Sequence, residues 1–318
     1  MSLALRLLDG VEETVHATST PSTRHLEEGS APPTLRDERI DKQRKTAGMV
    51  TGVLSKCCNY PCLVWKNTLQ QGIKLNTTWT TSSGAFSPLK VYRGLPMACM
   101  NLGGTNAVQF VGTGFFQKLL AKSSKDRDAV QVGGAFLGGA ASGVPCSIWE
   151  LCMIQQQRFG GSTLGTPARI VQEYGAAAIG RGITTTIGRE AMFTMSMLGV
   201  TPLIQEKLVA SSGMEKNAAL AAGSLTGALL AGVATHPLDT IKSCMQGDLG
   251  REKYDGIVQT GRSLATEYGV VQGLFKGLFW RVALISTTFF LVNTFKQQTV
   301  PLLFPHAVQD EPEKKSSR

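Results

Sequence analysis

The segment NAALAAGSLTGALLAGVATHPLDTIK, residues 217–242, decides the fold of this chain. Its first part, Asn217 to His236, contains no Asp, Glu, Lys or Arg and has the length of about 20 residues that a helix needs to cross a bilayer. Pro237 follows, and Asp239 and Lys242 come directly after it. An apolar stretch of this length that ends in a proline predicts a membrane helix that is kinked at its end.

Five further windows of similar length are poor in charge. They are Gly94 to Gln117 and Ala129 to Trp149, which are uncharged, and Thr46 to Trp65, Gly182 to Gln205 and Leu278 to Leu303, which carry one or two charges. A soluble all-helical bundle would need polar faces on its outer helices, and the three uncharged windows have none. We therefore expect an all-α membrane protein with six transmembrane helices.

The proline motif recurs along the chain. Pro61, Pro145 and Pro237 end the first, third and fifth windows and are 84 and 92 residues apart. A basic residue and a glycine precede each even window, as Arg93-Gly94, Arg181-Gly182 and Lys276-Gly277. This spacing predicts three tandem repeats of two helices. Each proline should kink its helix, because it removes a backbone donor and crowds the preceding turn.

The repeats set the expected domain boundaries. We expect a mobile N-terminal extension at 1–45, repeats at 46–128, 129–215 and 216–304, and a disordered tail at 305–318. Segments inside the repeats, such as Thr166 to Tyr174 and Tyr254 to Tyr268, suit short helices at the membrane surface. Each odd window also has two glycines four residues apart, which predicts close helix contacts: Gly48 and Gly52, Gly134 and Gly138, and Gly223 and Gly227.

Residues 46–304 resemble the mitochondrial carrier family, whose members have three such repeats in a pseudo-threefold bundle and the motif P-x-[DE]-x-x-[KR] at the end of each odd helix. The third repeat has the motif intact. The first has Leu63 at the acidic position, and the second has Ser147 and Glu150 at the acidic and basic positions. The resemblance therefore implies a divergent member.

The family resemblance implies a matrix-side gate, in which an acid of one repeat pairs with a base of the next. The gate residues carried over by position are Lys66, Glu150, Asp239 and Lys242. Asp239 with Lys66 is the complete pair, and the other two links are degraded. Two alternatives stay open for Glu150, which could compensate by pairing with Lys66 or with Lys242.

The resemblance also implies a substrate site seven residues past each glycine that opens an even helix. These positions hold Asn101, Arg189 and Leu284. An arginine followed by an acid, Glu190, resembles the amino-acid carriers of the family, since the base can hold a carboxylate and the acid an ammonium. The alternative is that Arg189 and Glu190 pair structurally. Arg281 lies one helical turn before Leu284 and either faces the cavity or reaches the matrix surface.

Two functions remain from these observations. The first is alternating-access transport of a small amino-acid-like or carboxylate solute across the mitochondrial inner membrane. The second is a transport-inactive subunit of a large inner-membrane complex, which the degraded gate favours. The expected partners are the solute and the lipid bilayer, with cardiolipin as a candidate lipid. For the second function, the large inner-membrane complex is a further expected partner. Basic motif-side loops predict that both termini face the intermembrane space.

Other functional classes are not supported by the sequence. The formal charge of +9 comes without a run of five basic residues, so nucleic acid is not an expected partner. Cys57, Cys58 and Cys62 lie close together but lack a second pair at metal-site spacing, so no metal is predicted. No catalytic triad or phosphate-binding loop pattern is found, and we expect neither an enzyme nor a cofactor.

Overall fold

A computed structural model of the protein describes residues 35–81, 84–212 and 216–303. These residues form helices and connecting turns, with one isolated antiparallel bridge between Thr80 and Phe86 and no β-strand in the described part of the chain. The expected all-α class is confirmed for these residues.

In the described residues, eight helices cover or directly follow the six charge-poor windows. They are α1 (Leu35–Gln70), α2 (Leu95–Leu120), α3 (Arg127–Phe159), α5 (Ile183–Thr194), α6 (Thr201–Ser212), α7 (Lys216–Ala234), α8 (His236–Gly247) and α11 (Leu278–Leu303). A π-helical stretch, Met195–Val200, joins α5 to α6. Short helices α4 (Gly165–Tyr174), α9 (Ile257–Tyr268) and α10 (Val270–Leu274) lie within the second and third predicted repeats.

Membrane crossing is supported by composition for one of these helices. Among the described residues, α3 is both long and apolar enough to span a bilayer, with a mean hydropathy of 1.2 over an 18-residue window. Ala221–Ala234 is a shorter apolar stretch inside α7. The arrangement of six spans in three repeats therefore stays a prediction, as do the repeat boundaries.

The first helix begins within the expected N-terminal extension. Residues 1–34 lie outside the described part of the chain, and α1 begins at Leu35, so residues 35–45 are helical, while the mobility of the extension stays a prediction. The sequence explains this, because Glu38 with Lys42 and Asp41 with Lys45 have the i,i+4 spacing of opposite charges that stabilises a helix. The predicted tail at 305–318 lies outside the described residues.

The described residues fall into two compact units. The larger unit includes Tyr60–Ile285, and the smaller one includes the described residues 35–59 and 286–303. In the larger unit, an apolar core joins α1, α2 and α3 through residues such as Leu63, Met97 and Leu151, all of which are buried. In the smaller unit, Asn59 donates a hydrogen bond to Thr288 Oγ1.

Glycines of α3 bring two neighbouring helices into backbone contact. A Cβ added at Gly138 would overlap the backbone nitrogen of Thr113 on α2. On another face, a Cβ at Gly139 would lie 2.5 Å from the Glu190 carbonyl oxygen, and one at Gly143 would lie 2.5 Å from Ile187 Cα, both on α5. Real Cβ atoms do not approach this closely, so these positions require glycine for the observed packing.

The glycine before each even helix has the same conformation. Gly94, Gly182 and Gly277 have φ values of 82°, 77° and 83°, in the left-handed region that glycine adopts without strain. A Cβ at these positions would meet, in the same order, the Met153 carbonyl oxygen at 3.1 Å, Gln246 Cγ at 3.2 Å and the Lys66 carbonyl oxygen at 3.1 Å. Each even helix thus begins against the odd helix of the next predicted repeat.

Candidate functional site: a buried ion-pair network

The three prolines lie where the odd helices approach the predicted gate. Pro61 and Pro145 lie inside the continuous helices α1 and α3, whereas Pro237 lies in the first turn of α8, just after the break at Thr235 that separates α7 from α8. Proline is tolerated in a first helical turn because that turn's N–H groups lack helical partners. The break is thus located at one of the three prolines, and kinking at the other two stays a prediction.

Asp239 is the most heavily coordinated acid of the site. It is fully buried, and its Oδ2 accepts from Lys66 Nζ at 2.7 Å and from Gln70 Nε2 at 2.9 Å. Arg281 NH1 lies 3.0 Å from the same oxygen. The structure thus brings Lys66 and Asp239 together, and it places Arg281 against Asp239 and not at the matrix surface.

Glu150 contacts a base of the third predicted repeat. Its Oε2 accepts from Lys242 Nζ at 2.8 Å, and the same oxygen accepts from Arg189 NH2 at 2.7 Å. Of the two alternatives for Glu150, the geometry thus favours Lys242. Glu150, three residues after Ser147, thus supplies the ion pair with Lys242 that the uncharged Ser147 cannot make. Ser147 Oγ instead accepts a hydrogen bond from Gln246 Nε2 at 3.3 Å.

Arg189 and Glu190 lie next to this pair. Arg189 NH2 is 2.5 Å from Glu190 Oε1, and Gln109 Nε2 donates to the other Glu190 oxygen at 2.7 Å. Arg189 Nε lies 3.7 Å from Asp239 Oδ1. Arg189 therefore contacts all three acids of the network. It makes the structural pair with Glu190 that the sequence offered as an alternative, and it also occupies a predicted substrate position.

The link between the first and second predicted repeats is uncharged. Leu63 is buried in the apolar core, where Leu151 of α3 also lies. Nearby, Asn67 Nδ2 donates to Gln157 Oε1 at 2.9 Å, and Gln157 Nε2 donates to the Tyr60 hydroxyl at 3.0 Å. Apolar packing and neutral hydrogen bonds therefore connect these two repeats at the level of the ion pairs.

Two predicted site residues lie apart from the network. Asn101 is half-buried on α2 and accepts a hydrogen bond from Thr105 Oγ1 at 2.8 Å, one turn along its own helix. Leu284 is half-buried and packs against the apolar core. Their role as substrate contacts stays a prediction.

Neutral side chains complete the network, and the sequence motif gave little sign of them. Gln70 and Gln246 follow the basic motif positions by four residues, and Gln109 is one of several polar residues inside an apolar window. Thr235 Oγ1 accepts from Arg281 NH2 at 2.8 Å. An amide or hydroxyl inside a span is a weak signal, since it more often joins two helices than it serves a ligand.

A loop after α8 is held together by Asp248. Its carboxylate accepts from the backbone N–H groups of Glu252, Lys253 and Tyr254 at 3.2, 2.8 and 2.8 Å. Burial raises the pKa of Asp248, but these donors and the nearby Arg181 guanidinium outweigh it and hold the pKa below its ordinary value. The carboxylate therefore stabilises the loop while it is ionised.

Taken together, the helices and the network define a class of protein. A helical chain with a span-length apolar helix, and with a network of seven charged side chains that are each at most 13% exposed, has the features expected of a membrane carrier.

Comparison with known proteins gives a family match for part of the chain and two relatives that cover most of it. Residues 215–306 match the family described as "Mitochondrial carrier protein". The chain is 29% identical to the "Mitochondrial basic amino acids transporter" of Bos taurus over 71% of this chain and 76% of that protein. It is 27% identical to the "Mitochondrial arginine transporter BAC2" of Arabidopsis thaliana over 74% of this chain and 82% of that protein.

A third relative matches over a shorter region. The "Mitochondrial substrate carrier family protein ucpB" of Dictyostelium discoideum is 31% identical over 35% of this chain, and the chain spans 37% of that protein's length. These matches show that residues 215–306 fit the mitochondrial carrier family model and that the chain is similar to curated mitochondrial carriers at modest identity. Members of this family are multi-pass proteins of the mitochondrial inner membrane, and they are transporters of small solutes and not enzymes.

Proposed function

We propose that this protein transports a small amino-acid-like or carboxylate metabolite across the mitochondrial inner membrane by alternating access. Arg189 holds the carboxylate of the solute, and the pairs Lys66–Asp239 and Lys242–Glu150 close the path on the matrix side. The two relatives that cover most of the chain are named as amino-acid transporters, which supports this solute class.

One observation carries the proposal: Arg189 NH2 and Lys242 Nζ bind the same oxygen of Glu150, at 2.7 and 2.8 Å. Arg189 occupies a predicted substrate position, whereas Lys242 and Glu150 are predicted gate residues. A solute carboxylate that binds the Arg189 guanidinium competes with Glu150 for it. Binding of the solute thereby weakens a contact of the gate, which is the differential interaction that alternating access requires.

The topology follows from the same proposal. The gate residues lie on the motif side of the odd helices, where the loops carry an excess of basic residues, so we place this side in the matrix. Both termini then face the intermembrane space. Protease digestion of intact mitoplasts should remove an epitope tag from either terminus.

Uptake into vesicles that contain the purified protein tests the role of Arg189. Arg189→Ala should reduce uptake by a factor of about 30 to several thousand, because a buried, hydrogen-bonded charge partner is lost. Arg189→Lys should retain part of the uptake, since it keeps the charge but not the planar donor set. Arg127→Ala, at an exposed ion pair with Glu206, is the control and should not affect uptake.

Two outcomes contradict the proposal. Parent-level uptake by a folded Arg189→Ala protein would remove Arg189 from the substrate site. Absence of uptake by the parent protein, together with comigration with a large inner-membrane complex, would favour a subunit role.

A further inference from the structure

The buried network contains one more base than acid. Its seven charged side chains are four bases, Lys66, Arg189, Lys242 and Arg281, and three acids, Glu150, Glu190 and Asp239. Their side chains are at most 13% exposed, so water screens them weakly. The network therefore carries a formal charge of 4 − 3 = +1.

Most acid oxygens of the network face a donor from the protein. Both oxygens of Glu190 have a donor, one from Arg189 and one from Gln109. Asp239 Oδ2 faces Lys66 and Arg281, whereas Asp239 Oδ1 makes no hydrogen bond and has Lys242 Nζ at 3.6 Å. A solute ammonium would thus have to displace an internal donor at Glu190 and at Asp239 Oδ2.

The bases, in contrast, retain unused capacity. Arg189 has the most exposed side chain of the four, at 13%, and its Nε makes no hydrogen bond, with Asp239 Oδ1 as its ion-pair partner at 3.7 Å. A guanidinium N–H without a hydrogen bond, in a network with a surplus positive charge, is a favourable position for an additional carboxylate oxygen.

From this charge balance we infer that the transported solute is a monoanion, with one more negative than positive charge, and that cationic amino acids are rejected. A monoanion neutralises the network, a zwitterion leaves it at +1, and a cation raises it to +2 in a weakly screened site. The inference rests on the proposed transport function. It separates this chain from the two relatives whose names specify basic amino acids and arginine.

Uptake of radiolabelled solutes in three charge classes tests the inference. The probes are L-arginine and L-lysine as cations, L-glutamine and L-serine as zwitterions, and L-glutamate and L-lactate as monoanions. L-Glutamate and L-glutamine have nearly the same size, so their ratio isolates the effect of charge. We expect the monoanions to exceed the cations by about tenfold or more, and the zwitterions to fall between them.

A variant with one base fewer tests the charge count itself. Arg281→Gln brings the network to zero, and Asp239 keeps Lys66 as its partner at 2.7 Å. The ratio of L-glutamate to L-glutamine uptake should then fall by about tenfold. Arg127→Gln removes a positive charge from an exposed pair and serves as the matched control, in which the ratio should stay at the parent value.

The outcomes distinguish the inference from the proposed function. Faster uptake of L-arginine than of L-glutamate would overturn the charge inference and leave transport standing. An unchanged ratio in a folded Arg281→Gln protein would also overturn it. If Arg281→Gln does not fold, the comparison of the three classes on the parent protein still decides. Absence of uptake for every probe would overturn the proposed function and this inference with it.

Discussion

Glu150 offers the sharpest test of the network, because one of its oxygens holds two bases. Glu150→Gln keeps the size and shape of the side chain but removes the charge that lies 2.8 Å from Lys242 Nζ and 2.7 Å from Arg189 NH2. Removing one partner of a buried ion pair typically costs about 3 to 5 kcal/mol, since the remaining charge stays buried and unpaired. The Glu150 side chain is 11% exposed, so the full effect is expected.

The expected effect is large enough for a melting experiment. The entropy of unfolding for a chain of this length is about 0.7 kcal/mol per kelvin, so the predicted loss lowers the Tm by roughly 5 to 7 °C. The measurement is thermal unfolding of the purified protein in detergent, followed by thiol-reactive fluorescence at its buried cysteines.

An exposed acid provides the matched control. Glu206→Gln removes the same charge from a pair with Arg127, whose side chains are 57% and 67% exposed. Such a pair contributes about 0 to 1 kcal/mol, so the Tm should change by no more than about 1 °C. If Glu150→Gln also melted within 1 °C of the parent, Glu150 would not be the acid that stabilises this network.

Three further predictions concern packing, pairing and pH. Gly138→Ala should lower the Tm by about 2 to 4 °C, because the added methyl group pushes α2 away from α3. Gly103→Ala is the control and should leave the Tm unchanged, since the space around its Cβ is open. The same Tm for both variants would refute the packing argument. Asp239→Asn should destabilise the protein more than Lys66→Met. The first change leaves two bases, Lys66 and Arg281, without their acid, whereas the second leaves Asp239 with Arg281 still beside it. A lower Tm for Lys66→Met than for Asp239→Asn would refute this argument. Asp248→Asn should lower stability at neutral pH. The difference in stability from the parent should vanish as the pH falls below 3.8, the ordinary pKa of the carboxyl, and through the lower pKa that Asp248 has in the folded protein. A constant difference down to about pH 2.5 would contradict this prediction.

The family resemblance implied which charges of the first and third repeats meet. Asp239 stands at the acidic and Lys66 at the basic position of the family motif, and the structure has the two side chains 2.7 Å apart. The helical windows were predictable, because long runs without charge leave few alternatives to a buried or membrane helix.

The sequence could not predict that Glu150 pairs with Lys242 and not with Lys66. Sequence spacing places both residues near the ends of their helices, but which base an acid reaches depends on helix rotation and side-chain rotamers, and these are set by tertiary packing. Gln109 illustrates the same limit: it lies 81 positions from Glu190, and no local pattern connects the two. The start of α1 at Leu35 lies within the expected mobile extension, and the helical spacing of the charges in this segment was the available signal for it.

The two glycine faces of α3 have a mechanical consequence. Gly134 and Gly138 face one neighbour and Gly139 and Gly143 the other, and an offset of five residues turns the second face by about 140° from the first. Side chains can slide past one another by changing rotamers, but backbones in direct contact have no such freedom. We therefore expect α2, α3 and α5 to move as one stiff block during a transport cycle, with the conformational change concentrated at helices outside it.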